Sequence, residues 1–268
     1  MNILPFYFHL VLQERKGRKR KAFPANIVQS LGFKTFAGDT KIQLLPSPWP
    51  VDALPSSTSS LFSIASQRGL VAAAGPNSLV IAETPAVRAA FDAKVAAPTN
   101  IKPFTPKHTF EVPRLSHVAF TSNGDYLVIC AENGGGLAVY NTQSISTGNK
   151  EPTFQIGTEG VPVRALAPNP AAELAHFVAV VLSGGQLMVA NLQAKEFILG
   201  ANNSKILKDG VSCVAWSVRG KQLVAGLGDG NAFQIDPSGN PKAVIAQPPQ
   251  IGPNHHSKST KLLIQMMR

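Results

Sequence analysis

The densest run of chemistry-bearing residues in the sequence is basic. Arg15, Lys16, Arg18, Lys19, Arg20 and Lys21 are accompanied only by Glu14, for a local charge of +5. Such a run suits a nuclear-localisation patch, and a solvated tail or a wrongly assigned first exon accounts for it at least as well. Other reactive types are sparse. Cys130 and Cys213 each sit in an apolar run (Leu127-Val-Ile-Cys130 and Val211-Ser-Cys-Val214), the pattern of buried thiols acting as small hydrophobes. Neither has Cys or His at zinc spacing, and His255-His256 has no further ligands nearby. Gly226-Leu-Gly-Asp-Gly230 has the glycines of a phosphate loop. It lacks the Lys-Ser/Thr pair and precedes a strand-like run, so it reads as a hairpin turn. The six His and 15 acids form no pair placed for acid-base work. The reading is of a chain with no catalytic residues, no cofactor site and no metal site, and therefore not an enzyme.

The net charge of +10 is concentrated at the ends. Lys258, Lys261 and Arg268 carry another +3, which leaves residues 22–254 at only +2. A body so near neutral lacks the basic stripe that phosphate neutralisation requires, so no direct nucleic-acid binding is expected. The apolar run at residues 3–12 precedes its basic cluster, the reverse of a secretory signal, and is too short to span a bilayer. No membrane insertion is expected. Two buried-looking thiols suit a reducing compartment, where the sequon Asn202-Asn203-Ser204 is a chance match.

The elements that would position these residues are short. The chain is 44% hydrophobic and only 15% charged, with 22 Gly and 21 Pro, and its mean hydropathy is +0.05. This excludes wholesale disorder and argues for many turns around a buried core. One pattern recurs four times: a small-apolar pair, a turn, an apolar strand, a tight glycine turn and a third strand. Its copies begin at Ser63-Ile-Ala, Val118-Ala-Phe, Arg164-Ala-Leu and Val214-Ala-Trp, with third strands near Leu79, Leu137, Leu187 and Ala232. Taking Ile64, Ala119, Ala165 and Ala215 as equivalent gives spacings of 55, 46 and 50 residues. Such periods, with several strands per unit, mark propeller blades. In residues 211–216, alternation sets Val211, Cys213 and Ala215 against Ser212, Val214 and Trp216. Both faces are largely apolar, as in a blade held between two neighbours. Trp216 is expected in the core and Trp49, between Pro48 and Pro50, partly exposed. The expected fold is all-β: a WD40-like β-propeller of about four blades plus an N-terminal strand from residues 33–46. The connectors 85–111 and 142–160 would lie on the surface as long loops. None of the copies ends in the Trp-Asp pair of a standard WD repeat.

Two longer runs resemble a known family. Lys41-Ile-Gln-Leu-Leu-Pro-Ser-Pro-Trp-Pro50 with residues 59–77, and Gly210-Val-Ser-Cys-Val-Ala-Trp-Ser-Val-Arg-Gly-Lys-Gln-Leu-Val-Ala-Gly226, are similar to the N-terminal β-propeller of the fungal FG-repeat nucleoporin on the cytoplasmic face of the nuclear pore complex. The resemblance covers roughly residues 30–256 and implies a seven-bladed, non-enzymatic propeller. It further implies a DEAD-box RNA helicase and other nucleoporins as partners, a place at the nuclear envelope, and a part in mRNA export. No Phe-Gly dipeptide occurs in the chain. The expected organisation is a non-family extension at 1–29, a partial propeller at 30–256 and a non-family tail at 257–268. The alternatives are a WD40-like scaffold of another complex, or a truncated product without independent function.

Overall fold

The computed structural model describes residues 41–93, 101–200 and 202–246. The chain enters through β1 (Lys41–Gln43). Blade 1 is formed by β2 (Phe62–Ala65), β3 (Leu70–Ala74) and β4 (Ser78–Glu83). Then α1 (Thr84–Asp92) and β5 (Ile101–Pro103) intervene before β6 (His108–Glu111) completes it. Blade 2 comprises β7 (Leu115–Phe120), β8 (Tyr126–Ala131), β9 (Gly136–Asn141) and β10 (Phe154–Gly157), with α2 (Thr142–Ser146) before the last strand. Blade 3 is β11 (Val163–Pro168), β12 (Phe177–Leu182), β13 (Leu187–Asn191) and β14 (Glu196–Phe197). Blade 4 is β15 (Val211–Trp216), β16 (Leu223–Leu227), β17 (Ala232–Ile235) and β18 (Pro241–Ile245). Each blade is a four-stranded antiparallel meander. β7 packs beside β2 and β11, and β11 beside β15, so the first strand of each blade lies nearest the common axis.

The packing follows from period-2 alternation. In β8, Leu127 and Ile129 enter a core shared with blade 1, while Val128 and Cys130 enter one shared with blade 3. In β12, Val178, Val180 and Leu182 face blade 2, and Ala179 and Val181 face blade 4. Three inter-blade cores thus join four blades in sequence, and among the described residues no core joins blade 4 back to blade 1. Both faces of blades 2 and 3 are filled. The far face of blade 1 (Val71, Ala73, Val80, Ala82) is buried too, and α1, with Val87 turned in, packs against β4 and β1.

Several expectations are corrected. Of the expected N-terminal strand at 33–46, which would have served to complete a blade, residues 41–43 form a strand but pair in parallel with β5, and each described blade takes its fourth strand from its own meander. The connector 85–111 contains α1, β5 and β6, and 142–160 contains α2 and β10. Two local devices form these helices: Pro85 in the first turn of α1, and the Asn141 side chain accepting hydrogen bonds from the Gln143 and Ser144 amides. Lys102 of β5 donates to the carbonyls of Phe91 and Ala93 at 2.5 and 2.6 Å, satisfying acceptors at the end of α1. The blade-3 alignment moves by two residues. Ala167, not Ala165, stands with Ala119 and Ala215 next to the end of its strand, giving spacings of 55, 48 and 48. Alanine at both 165 and 167 left the small-residue cue undecided. The domain boundaries at 29 and 256 fall outside the described residues.

Candidate interaction surface

Each of β7, β11 and β15 carries one bulged residue at the same place: Ser116, Arg164 and Ser212. A bulge frees backbone groups from the ladder, and buried ones need a partner. A neighbouring blade supplies it. The Ser60 amide donates to the Ser116 carbonyl at 2.9 Å. Arg164 Nη2 donates to the carbonyls of Val211 and Ser212 at 2.5 and 3.0 Å. Between them lies His117, 2% exposed, with Nδ1 3.0 Å from Ser116 Oγ. Burial pushes its pKa down, while hydrogen bonds to the Arg164 and Thr58 backbones work the other way. Within blades, Ser116 Oγ donates to the Cys130 carbonyl and Ser212 Oγ to that of Gly226. The bulge in β15 also overturns the expected alternation. Val211 joins Val214 and Trp216 in the core with blade 3, and only Cys213 and Ala215 face away.

The turn after each first strand ties its blade to the next. Arg68 in blade 1 pairs with Asp125 in blade 2, Ser122 Oγ donates to the Ala171 carbonyl of blade 3 at 3.1 Å, and Asn169 Nδ2 donates to Gly220 of blade 4 at 2.8 Å. Gly220 has φ +66°, and any side chain there would run into Asn169. On this rim a cleft of about 450 Å³ opens between blades 1 and 2. Arg68, Glu83, Lys107, Thr142, Gln143 and Ser146 supply its polar walls, with Leu70 and Pro85 as apolar floor. Lys107 Nζ lies 2.6 Å from Glu83 Oε1, and this hydrogen bond and charge hold the Glu83 carboxyl below its usual range. The cleft is therefore lined by exposed, alternating charges rather than by one sign. Exposed pairs are cheap to separate, so it suits a polar protein partner with mixed charge. On the opposite rim, the Arg114 guanidinium lies 5.1 Å over Trp49, its Nε 2.6 Å from Glu132 Oε2, with Val51 and Leu54 exposed alongside.

The residues singled out in the sequence are scattered across this frame. The basic patch Arg15, Lys16, Arg18, Lys19, Arg20 and Lys21, and His255-His256, lie outside the described residues. Cys130 is fully buried and its thiol pKa is pushed up by desolvation, as a structural thiol's should be. Cys213 is only half-buried, because the face it occupies has no neighbouring blade among the described residues. Residues 226–230 run from the end of β16 into the expected hairpin turn before β17, with Asp229 accepting from the Asn231 amide at 2.9 Å. Trp216 is 3% exposed and donates from Nε1 to the Ala167 carbonyl at 2.9 Å, while Trp49 is half-buried. No group of three or more His, Cys, Asp or Glu among the described residues could hold a metal ion. No helix among them is long and apolar enough to cross a membrane. His117, Arg164, Arg68 and Lys107 were missed, yet the 48-residue spacing of Ser116, Arg164 and Ser212 was available as a signal.

A family profile described as the NUP159/214 β-propeller matches residues 55–267. The chain belongs to the NUP159/214 β-propeller family. It is 45% identical over 230 residues to nucleoporin NUP159 of Chaetomium thermophilum, covering 85% of this chain and 15% of the relative. Against nucleoporin nup146 of Schizosaccharomyces pombe it is 29% identical over 201 residues, covering 72% of this chain and 14% of the relative. The chain thus spans about a seventh of these nucleoporins' length. Among solved structures, the N-terminal domain of Nup159 matches with a TM-score of 0.53 and 18% identity, over 73% of this chain and 46% of that one. The likeness supports the propeller fold read from the repeat. A complex of S. cerevisiae Dbp5 with Nup159, Gle1, IP6 and ADP matches with a TM-score of 0.50 and 19% identity, over 68% and 42%.

Proposed function

We propose that the chain is a protein-interaction platform at the nuclear pore complex that supports mRNA export and does no catalysis of its own. Its partners on this reading are a DEAD-box RNA helicase and other nucleoporins. RNA is reached through such a partner, since the propeller carries little net charge. The observation that carries the reading is the family match across all four blades, together with 45% identity to a nucleoporin. A solved complex of Nup159 with Dbp5 supports the choice of partner class. The mixed-charge cleft between blades 1 and 2, flanked by Arg68, Glu83 and Lys107, offers one docking place on the rim.

Two measurements test this. A fluorescently tagged chain should mark the nuclear rim, and diffuse or cytoplasmic signal alone would remove the pore assignment. Purified chain should retain the helicase of its own source in a pull-down at moderate salt. Retention of neither helicase nor nucleoporins would leave the scaffold of another complex as the better reading.

A further inference from the structure

Three Ser/Thr-Pro steps occur in the sequence, Ser47-Pro48, Thr84-Pro85 and Thr105-Pro106. The structure separates them. The Thr84 amide donates to the Gly69 carbonyl at 2.7 Å, its hydroxyl oxygen is buried, and Pro85 lies in the first turn of α1. Ser47 is exposed, but no cation occurs among the five residues after it. Thr105 is exposed in the irregular stretch between β5 and β6, with no hydrogen-bond partner for its amide or hydroxyl among the described residues. Pro106 keeps it extended, and Lys107 follows directly. Burial alternates along this stretch, with residues 103, 105, 107 and 109 exposed and 102, 104, 106 and 108 half-buried. Thr105 and Lys107 therefore stand on the same outward side, about 7 Å apart along the chain.

We propose that Thr105 is a phosphorylation site for a proline-directed protein kinase, and that its phosphate takes Lys107 from Glu83 and turns the cleft between blades 1 and 2 acidic. In the step itself the γ-phosphoryl group of a nucleoside triphosphate passes to Thr105 Oγ1. The bond from the γ-phosphorus to the bridging oxygen breaks, a P–O bond to the threonine forms, the diphosphate leaves and the hydroxyl proton goes to solvent. Lys107 is free to change partners, because its pair with Glu83 is 47% and 45% exposed and so cheap to separate. A phosphate offers close to two charges and three acceptor oxygens where the carboxylate offers one charge, and the flexible lysine stem spans the gap. Lys102 does not compete, since its ammonium is held by the Phe91 and Ala93 carbonyls. Before modification Arg68 and Lys107 balance Asp125 and Glu83 at this rim. Afterwards the same rim carries an excess of about two negative charges. The consequence for a partner rests on reading this cleft as a docking place; the modification and the movement of Lys107 do not.

The full 268-residue chain is incubated with a proline-directed kinase and ATP, and phosphate is located by mass spectrometry. It should enter at Thr105 at least about tenfold faster than at Thr84, whose hydroxyl is reached only by local opening. Absence of phosphate at Thr105 would overturn the proposal. The phosphorus NMR signal of the phosphothreonine then reports on Lys107. Its second ionisation should lie about half a unit below the ordinary value of about 6, because a cation beside it favours the dianion. The midpoint should return to about 6 in Lys107→Gln and stay low in Lys107→Arg. A midpoint that is the same in the unsubstituted chain and in Lys107→Gln would also overturn the proposal. Helicase retention in the pull-down is a separate readout. A phosphorylated chain with the shifted signal and unchanged retention would support the switch and move the helicase off this cleft.

Discussion

Blades 3 and 4 have the same strand order and nearly the same register, but they differ in how many sides are filled. Blade 3 is packed on both faces, with Val178 and Val180 towards blade 2 and Ala179 and Val181 towards blade 4. Blade 4 is packed on one face and half-exposed on the other. The sequence shows the difference faintly, since Gln234 stands where blade 3 has Val189, and Gly226 where it has Val181. An apolar face is thus a property of the repeat, whereas its burial is a property of the assembly. Local pattern reveals the first, and only contacts reveal the second.

The contrast can be tested from the strongest effect downwards. Trp216→Ala removes the side chain that fills the blade 3–4 core and the hydrogen bond to Ala167; a loss of about 3–5 kcal/mol in urea unfolding is expected. Val181→Ala and Val224→Ala remove the same atoms from matched faces. The first should cost about 2 kcal/mol and the second under about 1, because only the first opens a cavity in a filled core. A cost at Val224 equal to that at Val181 would mean that the blade-4 face is fully covered in solution. Gly220→Ala should cost about 1–3 kcal/mol, since φ is +66° and the new methyl meets Asn169. Arg68→Ala should change stability by less than about 1 kcal/mol while weakening any partner held in the cleft, because its pair with Asp125 is exposed.

Stability should depend on pH through His117, buried between blades 2 and 3. The folded pKa of His117 lies below its ordinary value of 6.5, chiefly through burial. The unfolded chain therefore binds a proton that the folded one resists, and stability is full above about pH 6.5 and declines as pH falls towards the folded pKa. His176 in blade 3, also depressed by burial, acts in the same sense. Urea midpoints should drop between about pH 7.5 and 5.5. The drop should shrink in His117→Gln, and an undiminished drop would move the effect to His176.

Strands two and three of each blade were legible almost to the residue, because both are continuous apolar runs bounded by glycine turns. The fourth strands were not. β6, β10 and β18 alternate or are largely exposed, and β14 has only two residues, so none carries a strong apolar signal. α1 and α2, nine and five residues long, are too short for a sustained helical period. The rim cleft was hidden for another reason. Arg68, Glu83 and Lys107 are distant in sequence and meet only when the β2–β3 turn and the end of β4 fall on one side. Thiol burial was read correctly for Cys130 and too deeply for Cys213, since an apolar run shows where a strand is and not whether both its sides are taken.

The turn-to-turn ties run in one sense along the chain, from Arg68 to Asp125, from Ser122 to Ala171 and from Asn169 to Gly220. Among the described residues each blade is tied to its immediate neighbours, so these four blades couple pairwise along the chain, as units of an array do. Hydrogen exchange should therefore be graded, slowest in β8 and β12 and fastest in β17 and β18, with opening spreading inward from blade 4. A partner seated between blades 1 and 2 would bind the stiff end of this array and leave the other free to breathe.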